Sequence, residues 1–275
     1  MPRSFAFAQV DVFTDTPTCG NPLAVVHGAE ALCDAQMAQL AHWANLSETS
    51  FLLPPSTPEA DYGLRIFTPT QELPFAGHPT LGSCHAWLTA GGQPKGLDIV
   101  QDCAAGLIRI RQDAQKLFFT APPLLRSGPL AQDLVARACA GLGLDTAELA
   151  TSAWVDNGPG WAALLLNDHN RAMAITPDYA ILNGMRIGIV APSPEAGIDF
   201  EVRGFSAGGF EDPVTGSLNA GIAQWLISAD IASTQYVAAQ GTALGRKGRV
   251  HVVQEGTEIW VGGAVQSCIE GTIRL

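Results

Sequence analysis

Glu48 stands between an apolar helical segment and the apolar run Phe51-Leu52-Leu53. A carboxyl group held among apolar neighbours is harder to ionise, because desolvation penalises its charged form. Such a group can take a proton from carbon and return it elsewhere. On composition alone, a solvated glutamate beside a strand start explains the residue as well. His78 and Asp212 each precede or open a helical segment. Either can hydrogen-bond a substrate amine, hydroxyl or carbonyl, or act as acid or base. Asp212 reads equally as a capping residue. Gly77 and Gly216 stand at the same two helix openings, where unpaired N–H groups carry a partial positive charge and glycine permits close backbone approach. Two such openings on one cleft make a seat for a carboxylate, with the Ser217 hydroxyl as an added donor. Taken singly, each opening is an ordinary helix start.

The elements that position these residues follow from periodicity and turn chemistry. Apolar alternation predicts a strand over Phe7–Phe13, and Gly20-Asn21-Pro22 turns the chain into a buried strand at Leu23–Val26. Asp34 is the expected N-cap of a helix carrying Met37, Leu40, Ala41 and Ala44, with Asn45 at its end. Glu48 lies in the connection to a strand at Ser50–Leu53, and a further strand spans Tyr62–Phe67. Gly77-His78-Pro79 opens a helix through Leu88, with Pro79 expected at its first position. Strands follow near Ile99, Leu107–Ile110 and Leu117–Thr120, and Pro122-Pro123 is a natural boundary. The second half gives a helix over Gln132–Leu142, strands at Ser152–Asp156, Ala162–Leu166 and Phe200–Phe205, a helix from Gly216 to Ser228, and a strand at Val250–Val253.

The halves repeat. Sliding the chain by 138 residues carries Asp61-Tyr62-Gly63-Leu64-Arg65-Ile66-Phe67 onto Asp199-Phe200-Glu201-Val202-Arg203-Gly204-Phe205, Trp87-Leu88 onto Trp225-Leu226, and Gly20 onto Gly158. Several matches in one register point to two similar halves, which puts the Gly77 and Gly216 turns at corresponding places.

Composition narrows the partners. The 275 residues are 47% hydrophobic and 15% charged, enough for packed cores in two domains. A net charge of -11, with no long basic run, argues against nucleic acid. No apolar run reaches the ~20 residues of a membrane span, and six cysteines without a C-x-x-C pair read as reduced thiols of a cytoplasmic protein. No metal is expected: His78, Cys84 and His85 lack ligand spacing, and H-E-x-x-H is absent. Gly241–Gly248 lacks the phosphate-loop order and reads as a turn. A serine hydrolase is an alternative, because Gly204-Phe205-Ser206-Ala207-Gly208 matches the nucleophile elbow and Asp212 or Asp230 and His251 follow. Against it, six residues intervene before any helix, and the repeat matches Ser206 to Thr68. A non-catalytic carboxylate-binding protein is the other alternative.

Asp11-Val12-Phe13-Thr14, Gly20-Asn21-Pro22-Leu23-Ala24-Val25, Asn45-Leu46-Ser47-Glu48-Thr49, Phe67-Thr68-Pro69, Glu72 to Gly82 and Glu211-Asp212-Pro213-Val214-Thr215-Gly216-Ser217 closely resemble the phenazine-biosynthesis PhzF-like family, in order and over essentially the whole chain. The resemblance implies an α/β (α+β) fold like that of diaminopimelate epimerase: two pseudo-symmetric halves, each a curved, barrel-like, mainly antiparallel sheet around a central helix. It implies domains of residues 1–120 and 121–263, with a last strand at about 264–275 returning to the first. It implies a homodimer without metal or organic cofactor and an active site in the cleft between halves. Glu48 matches the glutamate that shuttles a proton in isomerising trans-2,3-dihydro-3-hydroxyanthranilate. His78, Asp212 and Ser217 match polar site residues, and the backbone around Gly77 and Gly216 would hold a small substrate's carboxylate. Epimerase relatives use two cysteines as bases; neither helix-opening motif here contains one. Cys19 before Gly20, the loop Ser206–Phe210 and Leu218-Asn219 depart from the phenazine enzyme and leave the substrate open.

Overall fold

The structure, a computed structural model, describes residues 3–275; Met1 and Pro2 lie outside it. Two compact units emerge, one running to Thr120 and completed by Gly262–Leu275, the other spanning Ala121–Val261.

The first unit contains β1 (Ser4–Val12), β2 (Asn21–Val26), α1 (Asp34–Ala44), β3 (Thr49–Leu53), β4 (Tyr62–Phe67), β5 (Glu72–Leu73), α2 (Gly77–Thr89), β6 (Ile99–Cys103), β7 (Gly106–Asp113) and β8 (Lys116–Thr120). The second contains β9 (Arg126–Gly128), α3 (Gln132–Leu142), β10 (Leu149–Asp156), β11 (Trp161–Leu166), α4 (His169–Met173), β12 (Arg186–Pro192), β13 (Phe200–Phe205), β14 (Glu211–Asp212), α5 (Gly216–Ser228), β15 (Gln235–Gln240) and β16 (Gly248–Glu255). The long strand β17 (Glu258–Arg274) leaves the second unit and ends in the first.

In the first unit the pairings close on themselves. β1 runs antiparallel to β2, β2 parallel to β3, β3 antiparallel to β4, and β4 parallel to β6. Antiparallel β6–β7 and β7–β8 follow, and β17 joins β8 to β1. Eight strands thus form a closed barrel, which leaves no free edge along its wall. α2 fills it, and residues Gly77–Cys84 are all buried. A helix enclosed on every side needs no polar stripe, which is why its sequence shows little amphipathic contrast. Gly82 allows the fit: a Cβ there would lie 2.6 Å from Leu23 and 2.9 Å from Val12. α1 packs on the outside, where Met37, Leu40 and Ala41 meet Phe5, Val26, Phe51 and Phe67.

The second unit repeats these pairings in order and sense: β10–β11 antiparallel, β11–β12 parallel, β12–β13 antiparallel, β13–β15 parallel and β15–β16 antiparallel. Its counterpart of α2 is α5, whose Gly221 would place a Cβ 2.1 Å from the Val155 carbonyl oxygen. The repeated aspartates do the same work. Asp61 exchanges two bonds with Val100, N–H to O at 2.7 Å and Oδ2 from N–H at 2.7 Å. Asp199 makes both with Val237, each at 2.8 Å. Each aspartate pins the strand that follows the central helix, β6 or β15, beside β4 or β13.

Several expectations change in detail. Asp34 is the first helical residue rather than the cap; Cys33 holds the cap position, and its N–H donates to Gln36 Oε1 at 3.1 Å. Asn45 ends α1 in the left-handed region, as its type suggests. Gly77, not Pro79, opens α2, and Pro79 is its third residue. β1 starts at Ser4 and stops at Val12, because Phe13 turns to a φ of 65°. β12 and β15 went unseen in the sequence. β12 is an unbroken apolar run, Ile187 to Ala191, without the alternation of a half-exposed strand. Among the described residues no helix is long and apolar enough to cross a membrane.

Candidate active site

Glu48 lies in the short link between the Asn45 cap of α1 and the first residue of β3. The parallel register of β3 on β2, Ala24 opposite Thr49, fixes where that link ends. His78 is the second residue of α2. Thirty residues apart in sequence, the two side chains meet: Glu48 Oε2 lies 3.1 Å from His78 Nδ1, with side-chain exposures of 17% and 5%. The imidazole is buried, and its Nε2 has no partner.

The pair sits at the opening of α2. Thr80 N–H already donates to Ala76 O at 3.1 Å, and Pro79 has no N–H. The amides of Gly77 and His78 have no partner inside the helix and carry its positive end. In the same unit, the buried Asp11 carboxylate accepts from Gly20 N–H at 2.8 Å and tightens the loop between β1 and β2. Gly20 is required there, since a Cβ would come within 2.2 Å of the Val12 carbonyl oxygen. Cys19, half-buried, stands next to it.

At the opening of α5, Thr215 takes the cap position and its N–H donates to Gln240 Oε1 at 3.0 Å. Gln240 Nε2 donates to Thr215 Oγ1 at 2.9 Å, and Asn219 Nδ2 reaches both Gln240 Oε1 (2.8 Å) and Thr215 O (2.9 Å). Asp212 is therefore not the cap. It belongs to β14 and accepts from the Thr215 hydroxyl at 2.6 Å. Gly216 is buried as the first helical residue. Ser217 is held twice: its Oγ accepts from the Trp161 indole N–H at 3.1 Å and its carbonyl accepts from Asn157 Nδ2 at 2.9 Å. That leaves the Ser217 O–H to donate elsewhere.

Asp156, next to Asn157, holds the turn between β10 and β11. It accepts from Gly158 N–H (2.9 Å), Gly160 N–H (2.7 Å) and Arg126 Nε (2.7 Å). Burial alone would raise this carboxyl, but the bonds from Gly158, Arg126 and Gly160 outweigh it and hold it below its ordinary value. Thr215 and Asn219 lie in stretches that the sequence marked but without these roles, whereas Gln240, Trp161 and Asp156 escaped sequence reading. Only the Gly20–Gly158 match of the repeat pointed towards the last of them.

The structure removes the nucleophile elbow. Ser206 follows β13 in a tight turn, its Oγ accepting from Gly208 N–H at 3.0 Å, and the chain continues into β14 rather than a helix. Thr68 makes the matching turn in the first unit, with its Oγ1 accepting from Gln71 N–H at 3.0 Å. Among the described residues no group of three or more His, Cys, Asp or Glu side chains is set to hold a metal ion.

Curved sheets wrapped around a buried helix, in two repeated units, are the diaminopimelate epimerase-like fold. Residues 10–269 match the family model described as phenazine biosynthesis-like protein. Antisense-enhancing sequence 1 of Schizosaccharomyces pombe is 33% identical over 97% of this chain and 97% of its own length. The trans-2,3-dihydro-3-hydroxyanthranilate isomerase of Pseudomonas fluorescens is 31% identical over 77% of this chain and 76% of its own. A crystal structure of a PhzF-family protein from Enterococcus faecalis superimposes with a TM-score of 0.83 at 24% identity, covering 99% of this chain and 100% of that one. The chain belongs to the phenazine biosynthesis-like family. Relatives carrying an activity in their names are isomerases, and this chain is an enzyme of that class.

Proposed function

We propose that the chain isomerises a small carboxylate-bearing molecule by moving a proton from one carbon to another, with Glu48 as the carrier. What supports this most directly is the Glu48–His78 contact at the opening of a buried helix. Glu48 removes a proton from carbon and becomes the carboxylic acid. The electron pair left behind spreads into the substrate's conjugated system, and Glu48 returns the proton to a second carbon. His78, whose Nδ1 lies 3.1 Å from the Glu48 carboxylate, holds that group in position. The amides of Gly77 and His78 bind the substrate's carboxylate, where the helix end favours negative charge. Gly216, Ser217 and Asp212 take substrate-binding roles in the same reading, which calls for no metal or organic cofactor. The family resemblance also implies a homodimer, which light scattering on the purified protein tests.

The test is deuterium incorporation from heavy water, screened over small cyclic and amino carboxylates. Trans-2,3-dihydro-3-hydroxyanthranilate, named for the Pseudomonas relative, comes first. One carbon should exchange, and Glu48→Gln should slow that exchange by about 10²–10⁴-fold while the ligand still binds. Exchange in Glu48→Gln at the wild-type rate overturns the assignment. Binding without exchange of any ligand favours a carboxylate-binding protein instead.

A further inference from the structure

The outer side of the second unit carries a pocket of about 390 Å³, set between α3 and the strands β10, β11 and β12. Three arginines line it, Arg126, Arg137 and Arg186, and no acidic residue does. This inverts the balance of a chain with 15 basic residues against 26 acidic ones.

Two of the three guanidinium groups are anchored without being neutralised. Arg137 donates from Nε to Ile181 O at 2.9 Å and from Nη2 to Asn183 O at 2.6 Å. Arg186 donates from Nη1 to Pro159 O at 2.8 Å. These carbonyls are dipoles, not charges, so both cations keep their full charge and hold spare N–H donors. Arg126 alone has a carboxylate, Asp156, and its guanidinium lies 3.9 Å from the centroid of the Trp154 ring. The walls therefore carry an excess of about two positive charges on forks already fixed in place, which lowers the ordering cost of a ligand. Planar guanidinium forks match the paired oxygens of phosphate and carboxylate. The volume lies near the lower end of the ~300–1,000 Å³ usual for small-molecule sites.

We propose that this pocket binds a compact polyvalent oxyanion, gripped by Arg137 and Arg186 with Arg126 and Trp154 at its side. Phosphorylated and polycarboxylate molecules share that chemistry, and the test separates them.

Calorimetric titration of the full chain at low salt uses inorganic pyrophosphate in one arm and citrate in the other. One-to-one saturable binding is expected in at least one arm, and the stronger arm names the source. Arg137→Gln and Arg186→Gln should each weaken it by about tenfold or more, with Arg186→Lys intermediate. Lys247→Gln, an exposed charge outside the pocket, should leave it unchanged. Tryptophan emission should respond to the ligand in the wild type and lose that response in Trp154→Phe. Circular dichroism confirms that each variant is folded, and Arg186→Lys keeps the charge should Arg186→Gln unfold. Absence of saturable binding to both probes, or an equal loss in Lys247→Gln, overturns the proposal.

Discussion

The indole N–H of Trp161 donates to Oγ of Ser217 at 3.1 Å, from a ring that is almost wholly buried. The bond spends one lone pair of the serine and aims its O–H away from β11. Trp161→Phe keeps most of the bulk and removes the donor. It should cost about 1–2 kcal/mol in urea unfolding, through one lost hydrogen bond and a small cavity. If Ser217 binds substrate, KM should rise several-fold with kcat little changed. An unchanged KM would separate Ser217 from substrate binding.

The repeat supplies a matched pair of ion bridges in two environments. Arg203 grips Glu211 with both side chains at 5% and 8% exposure, and Arg65 grips Glu72 at 28% and 37%. Arg203 also donates to the carbonyls of Ala172 and Ile175, both at 2.9 Å. Arg203→Ala strands a buried carboxylate and these acceptors, and should cost about 3–5 kcal/mol. Arg65→Ala removes two solvated bridges, to Glu72 and to Asp34, and should still cost only about 1 kcal/mol. Equal losses in denaturant unfolding would refute burial as the deciding factor.

The two central helices should tolerate an added methyl group unequally. At Gly82 the nearest obstacle is the Leu23 side chain at 2.6 Å, which can rotate. At Gly221 it is the Val155 backbone oxygen at 2.1 Å, which cannot move without the strand. Gly221→Ala should lose about 3 kcal/mol or more, and Gly82→Ala clearly less. Thermal unfolding of the two variants checks the order.

Glu201 should make stability fall with rising pH. Its residue is buried on β13, with Oε2 accepting from Thr242 Oγ1 at 3.0 Å and Oε1 without a partner. Burial, opposed by the Thr242 bond and by His169 and Arg249 nearby, pushes its carboxyl above the ordinary glutamate value. Between the ordinary and the raised value, the native state holds a proton that the unfolded chain has released. Stability is then fully present below the ordinary value and declines as pH rises through the raised one. Glu201→Gln, which can still accept from Thr242, should flatten that decline in the melting temperature. Identical pH slopes would dismiss the effect.

Local chemistry in the sequence determined a good deal. The bounds of α3 and α5 follow from apolar spacing and glycine placement, because a helix start and stop are decided within a few residues. The two-unit repeat was legible because the same contacts, such as Asp61 with Val100 and Asp199 with Val237, need the same residues twice. The family motifs named Glu48 and His78 as site residues, but not that they touch. That contact depends on a parallel strand register and on a helix threaded through a closed barrel, both set by pairings distant in sequence. Likewise, nothing local links Arg126, Arg137 and Arg186, which stand on a strand, a helix and another strand. Tertiary structure decided these groupings, because burial and hydrogen-bond partners belong to the assembled fold rather than to any one stretch of chain.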